Sequence, residues 1–572
     1  MALPVKLDGV LKNRFSLAQT LAAWTLCAVL LGPFLVWPTL RILGGAVAEN
    51  GAFSAQLLWL PLREPALREA LRNSFFLGIA STVLASLLAL PLAYGTARLR
   101  YKGKSFLTGL LLVPLVLPPL VGAVGLRQML GREGVINTLL MKAHLMQQPV
   151  AWLTNDTLKP WLVAGVAALH LYPLIYLNLS AAWANIDPAL EEAAENQGAQ
   201  GFHLFRTVTL PLLLPGYLSG ALIVFIFGFV DLGAPLVFDF KAVAAVKMFE
   251  ARASFNSIAY VLAGWTTVLS GVVFWISRRY LDGGRIATLS RGTAVPRERE
   301  ARGWELAWVY AFSGAVIGVA LLPHLGVVLS SFAKDWTSSL WPEWTTQNYV
   351  RVFTDPSVPA AASIRISLLC AAASMAIDLI FGFALAYLLV RGRVWGKVWL
   401  DTLAMLPLAL PGLILAFGLL LCFRDTPLDP YSGALPLLIL SYAVRRLPYA
   451  LRGVAAGLSQ MSVTLEEASL NLGATRWQTV WRVTRPLVTA NILAAGLLTF
   501  AFAVLEVSDS LVLAVQKSDF PIAKAIYQLS IATSGGTFLA CALGVVGMLL
   551  LAITFWVANR VLGKQLGALF RA

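Results

Sequence analysis

Apolar runs of about 20 residues, the length a helix needs to cross the hydrocarbon core of a bilayer, recur twelve times along this 572-residue chain. They lie near 18–44, 74–97, 105–130, 161–183, 212–236 and 257–280, and again near 305–331, 364–390, 398–422, 433–457, 487–513 and 537–562. With 58% hydrophobic and 13% charged residues and a mean hydropathy of +0.75, the chain cannot hide so much apolar surface in one soluble core. It must use lipid as solvent. Prolines and glycines inside several runs are tolerable where neighbouring helices pack around them. The expected fold is therefore an all-α integral membrane protein of twelve transmembrane helices.

The formal charge of +15 does not point to nucleic acid, because the basic residues sit mostly in short loops beside apolar runs rather than along one continuous surface. Such loops face the cytoplasm. Arg98, Arg100, Lys102 and Lys104 mark the loop between spans two and three, and Arg391, Arg393 and Lys397 mark that between eight and nine. Both termini are then cytoplasmic. The loop at 45–72 balances its charges and faces outward. Cys27, Cys370, Cys422 and Cys541 fall in or beside apolar runs without metal-ligand spacing, and read as small reduced apolar side chains. The first apolar run is long enough to span and lacks a small-residue cleavage site, so no cleavable signal peptide is expected.

The two sets of six spans are copies. Pro114, Pro118, Gly125 and the pair Ala93–Tyr94 recur 293 residues later as Pro407, Pro411, Gly418 and Ala386–Tyr387. Beyond the next outer loop the offset is 275, relating Pro173 to Pro448, Gly198 to Gly473 and Pro211 to Pro486. The first half thus carries 18 additional residues, around Gly131 to Pro160. A parallel repeat of this kind is what a fused two-fold dimer becomes, with halves at 1–290 and 291–572. The join, Arg278 to Arg302, holds seven arginines against Asp282, Glu298 and Glu300, which suits a cytoplasmic linker.

Each half contains one polar insert, 187–211 and 462–486. Asp187 with Pro188, and Ser462, are helix-start signals. Gly198 and Gly473 suit left-handed C-terminal caps, and a second short helix is expected to end at Pro211 or Pro486. Glu192, Ala193, Ala194, Gly198, Val208, Leu210 and Pro211 resemble the EAA loop of the membrane subunits of bacterial ABC importers: EAA, three residues, Gly, nine residues, Ile, one residue, Leu-Pro. The copy has Glu467, Ala468, Ser469, Gly473, Val483, Arg485 and Pro486, and departs from that pattern at three positions.

The resemblance implies a fused permease with the type I ABC importer fold, two homologous six-helix halves in the bacterial inner membrane. It further implies that each loop is a coupling helix seated on a cytoplasmic ATPase, so that one chain takes two ATPase copies, which use ATP and magnesium. An external solute-binding protein delivers the cargo. Glu192 and Glu467 are the expected polar contacts, and Gly198 and Gly473 set the turn.

The chain itself shows no enzyme constellation. Gly103-Lys104-Ser105 mimics the end of a Walker A loop, but Arg98 stands where the first glycine is needed. His144, His170, His203 and His324 are scattered. No catalytic residue, metal site or cofactor is expected, and ATP hydrolysis belongs to another chain. Within the spans, ionisable residues mark a bundle interior or a water-filled route. Asp231 and Glu506 are equivalent, Asp509 follows one turn on, and His170 and Arg445 are equivalent on spans four and ten. Acids on one pair of helices facing cations on the other suggest ion pairs that fix packing or hold a gate. Asp378 and Arg127 are satisfied locally or snorkel.

Leu117-Pro118-Pro119-Leu120-Val121-Gly122-Ala123, with Leu130-Gly131-Arg132-Glu133-Gly134 and Asn137, and Arg445-Arg446-Leu447-Pro448-Tyr449-Ala450-Leu451-Arg452 in the second half, are similar to fused ferric-iron permeases. The resemblance therefore leans to Fe3+ as cargo. Thiamine, phosphonate and sugar-phosphate permeases share the architecture. A twelve-helix ion-driven secondary transporter has the same hydropathy but no use for paired EAA-like loops.

Overall fold

The computed structural model describes residues 5–49, 52–116, 119–252, 257–282, 298–532 and 535–562. Leu117, Pro118 and the linker residues 283–297 lie outside them. Eight helices are long and apolar enough to cross a membrane, and eleven if each of three bent pairs counts as one span. The remaining expected span is the helix Leu435–Gln460, whose Arg445, Arg446 and Arg452 make it too charged to qualify by composition alone. Two of the three bent pairs are spans three and nine. Lys104–Leu115 meets Pro119–Lys142 at 86°, and Lys397–Ala409 meets Gly412–Phe423 at 101°.

Two compact units divide the chain, and each takes its opening span from the other half. In the unit built from 45–358 and 525–548, span seven, Trp304–Ser331, packs on spans two, three and four. Its core joins Ala85, Ala89 and Leu92 to Tyr172, Ile175, Tyr176, Leu213, Val316 and Ala320. The fully buried Tyr172 donates its hydroxyl to Leu111 O at 2.8 Å, so burying it strands no polar group. In the unit built from 1–44, 359–524 and 549–570, the N-terminal span packs on spans eight, nine and ten. Trp24 Nε1 donates to Trp395 O at 3.3 Å, and Thr20 Oγ1 accepts from Trp395 N at 3.0 Å.

The repeated glycines of spans three and nine explain these crossings. A Cβ on Gly125 would lie 2.5 Å from Pro323 O and from Val327 N, and one on Gly418 2.8 Å from Ile42 Cδ1 and 3.0 Å from Pro38 O. Backbones can approach this closely only where the side chain is absent. The stretch that is additional in the first half forms a helix, Val135–Lys142. Asn137 staples it, bonding Gly131 O, Arg132 O and Val150 O and accepting from Val150 N and Trp152 Nε1. Among the described residues the strands are three two-stranded pairs. One of them lays Arg299–Glu300 beside Leu99–Arg100, at the end of span two.

Candidate functional site: two repeated knuckles

Both polar inserts form the capped helix–turn–helix that their residues encode. Asp187 accepts from Ala189 N at 3.0 Å to open the helix Pro188–Asn196, and Ser462 accepts from Thr464 N at 3.3 Å to open Val463–Asn471. Gly198 and Gly473 each take φ of +89°, the left-handed conformation that ends a helix at least cost to glycine. Ala199 N then bonds Ala194 O at 3.0 Å, and Ala474 N bonds Ser469 O at 3.1 Å.

The expected stop at the prolines is corrected. The helix starting at Gly201 widens into a π turn, Phe205–Thr209, and runs on through Pro211 into Leu210–Phe229. The copy does the same through Val480–Thr484 into Arg485–Leu487, and only then bends, by 70°, at Val488. Leu210 N reaches back five residues to Phe205 O, and Arg485 N to Val480 O. A turn widened just before a proline absorbs the missing N–H and the ring, so the chain need not break there.

A buried ionic clamp ties each knuckle to its unit. Arg98, in the last turn of span two, donates Nη2 to both carboxylate oxygens of Glu191, and Thr209 Oγ1 donates to Glu191 Oε1 at 2.8 Å. In the copy, Arg391 Nε lies 3.0 Å from Glu466 Oε2, and Thr484 Oγ1 donates to Glu466 Oε1 at 2.7 Å. Arg391 also donates Nη2 to Leu458 O and Met461 O, both at 2.8 Å. The glutamate side chains are only 6% and 9% exposed. Buried carboxylates at such positions are tolerable because cation and hydroxyl together satisfy them. The clamp therefore joins three elements: the end of a span, the first loop helix, and the π turn that leads into the next span.

Glu192 and Glu467, one position further along the same helices, point the other way and are exposed, as are Ala193, Ala468, Gly198, Gly473, Pro211 and Pro486; Ala194 is half-buried. Adjacent helical residues stand about 100° apart. One glutamate of each pair therefore holds the knuckle while the next faces outward. The inward members were missed in sequence, although Arg98/Arg391, Glu191/Glu466 and Thr209/Thr484 obey the 293 and 275 offsets.

The intramembrane residues part company between the halves. In the second half Arg445 bonds Glu506 and lies 3.4 Å from Asp509 Oδ1, while Arg446 bonds the other Glu506 oxygen and Phe502 O. Ser441 Oγ donates to Asp509 Oδ2 at 2.9 Å. In the first half, His170 Nδ1 instead meets Pro114 O at 2.7 Å, and Asp231 Oδ1 accepts from Gly233 N at 3.0 Å. The expected pairing of acid helix with cation helix thus forms in one half and not in the other among the described residues. Asp378 neither snorkels nor pairs: it is fully buried, and both its oxygens lack a hydrogen-bond partner among the described residues.

The model of binding-protein-dependent transport system inner membrane components matches this chain twice, over 81–285 and 378–563. The ferric transport system permease protein FbpB of Actinobacillus pleuropneumoniae is 27% identical over 484 residues, covering 83% of this chain and 69% of that protein. The Fe(3+)-transport system permease protein FbpB 2 of Haemophilus influenzae is 22% identical over 507 residues, 86% of this chain and 89% of its own. The molybdenum transport system permease protein ModB of Haemophilus influenzae is 33% identical, but over 169 residues, 30% of this chain and 70% of its own.

Proposed function

Because the chain belongs to the family of binding-protein-dependent transport system inner membrane components, we propose that it is the complete translocation pathway of an ATP-driven importer, its two halves, 1–290 and 291–572, acting as the two permeases. The observation that carries this reading is the repeat of the clamped knuckle. The same Arg–Glu–Thr triad holds the same helix–turn–helix in both halves. A short helix fixed at its base and continuous with a span transmits a push that a loose loop absorbs. Each knuckle docks on one cytoplasmic ATPase subunit, which supplies ATP and Mg chemistry that this chain does not. Glu192, Ala193, Ala194 and Gly198, with Glu467, Ala468 and Gly473, form the docking faces, and Pro211 and Pro486 mark where motion enters the spans. Closure of the ATPases switches the bundle between outward-facing and inward-facing states, and an external binding protein delivers the solute. The termini and both knuckles are cytoplasmic in this reading.

Arg445, Glu506 and Asp509 form a latch on the bundle interior, with His170 and Asp231 as its unlatched counterparts. Fe3+ is the cargo favoured here, because relatives named for ferric transport align over most of the chain. Likeness to a molybdenum permease over 30% of it supports molybdenum as second reading. Co-expression with a cognate ATPase tests the proposal. A stable complex is expected, in which Glu192→Ala with Glu467→Ala keeps the fold but abolishes solute-stimulated ATP hydrolysis. Transport by the chain alone down an ion gradient would overturn it, and the ligand recovered with the binding protein decides the cargo.

A further inference from the structure

The two knuckles share a backbone but present unlike surfaces. At the tip of the second, Trp477 is 69% exposed and stands edge-on to Trp481, with ring centroids 5.3 Å apart, while Arg485 stacks over Trp481 at 4.6 Å. A capping box fixes this short helix: Gln478 N donates to Thr475 Oγ1 at 3.2 Å, and Thr475 N to Gln478 Oε1 at 2.8 Å. Arg476, Arg482 and Arg485 are exposed around it, with Glu467 as the exposed acid. On the first knuckle Phe202, 75% exposed, replaces Trp477 and Arg206 replaces Trp481. Gln200, just before its helix, makes no side-chain cap. Asp187, Glu192 and Glu195 face water at least partly there, against Arg206. Clamped carboxylates aside, one knuckle is acidic and the other basic.

Resting on the reading of the knuckles as ATPase docking sites, we infer that they grip unequally: the second is the principal anchor, a preformed tryptophan–arginine plug for an apolar groove rimmed by carboxylates, and the first is a weaker contact. Trp and Arg in well-packed, desolvated positions dominate interface energies, and a side chain already held in place loses less entropy on docking. An acidic rim attracts the arginines of the second knuckle and repels the carboxylates of the first. The two grips therefore respond to salt with opposite signs.

The test uses the full chain in nanodiscs with its cognate ATPase, reading Kd as a function of NaCl. Trp477→Ala is expected to weaken binding by about 30-fold and Phe202→Ala by less than about 5-fold. Phe202→Trp is expected to tighten it, a gain that misfolding cannot mimic. Arg476→Glu with Arg482→Glu should weaken binding and remove most of its salt sensitivity. Equal losses from Trp477→Ala and Phe202→Ala, or weaker binding by the Phe202→Trp variant, would overturn the inference while leaving the docking reading intact. No binding by the unmodified chain overturns both.

Discussion

Removing Arg98 while leaving Glu191 in place should loosen the first knuckle far more than removing both. The carboxylate is 6% exposed, so water can do little to screen it. Breaking such a pair from one side costs about 3–5 kcal/mol, because the remaining charge stays buried. Glu191 would keep its 2.8 Å bond from Thr209, which argues for the lower figure. At about 1.4 kcal/mol per decade, ~3 kcal/mol raises the population of the opened knuckle by roughly 150-fold. Hydrogen exchange across 188–204, on the full chain in nanodiscs, reads that population directly. Arg98→Met should speed exchange there by about two orders of magnitude, while the core of span four is unaffected. Arg98→Met with Glu191→Leu should recover most of the protection, since apolar replacement of both partners is close to neutral. The second clamp should not be rescued so well, because Arg391 also serves Leu458 O and Met461 O, and Arg391→Met with Glu466→Leu leaves those carbonyls without a donor. A change of less than about 3-fold for Arg98→Met, or a double variant more exposed than the single one, would refute the idea that charge complementarity holds the knuckle.

Gly125→Ala should destabilise the solubilised protein markedly, since its Cβ would sit 2.5 Å from backbone atoms of span seven, whereas Gly109→Ala meets nothing within 4 Å and should be neutral; thermal aggregation midpoints compare them. Gly198→Ala has open space but a φ of +89°, so it should cost about 1 kcal/mol of local stability, visible as faster exchange confined to 195–201. Glu506→Gln leaves Arg445 and Arg446 without their shared counter-ion and should lower the unfolding temperature of the solubilised chain by several degrees. Asp231→Asn preserves an acceptor for Gly233 N and should change it little; equal effects of these two substitutions would show that the latch carries no charge-pair energy.

Features set by local chemistry could be read from the residues alone. The Asp187 and Ser462 caps and the left-handed glycines depend on neighbours a few positions away. The offsets of 293 and 275 exposed the duplication and even marked Gly125 and Gly418, though not their purpose. That purpose lies on helices 198 and 376 residues distant, Pro323 against Gly125 and Ile42 against Gly418. The choice between Glu191 and Glu192 depends likewise on Arg98, 93 residues upstream; helix periodicity sets them on different faces without telling which face is covered. The π turns were hidden because a proline after a short amphipathic stretch reads as an ending. Span ten was legible as an apolar run at 433–457, but the partners that let its arginines sit there, Glu506 and Asp509, lie 60 or more residues downstream and come beside them only in the fold.

The exchange of opening spans has a consequence for how such a chain is made and inherited. A polypeptide severed between spans six and seven would yield two fragments, each carrying an opening span that belongs to the other's bundle, and the first would also lack the stretch 525–548. Neither fragment holds all the walls of a bundle, and synthesis in one piece supplies both in equal amount. The translating ribosome must also finish span seven before the bundle begun by span two is whole.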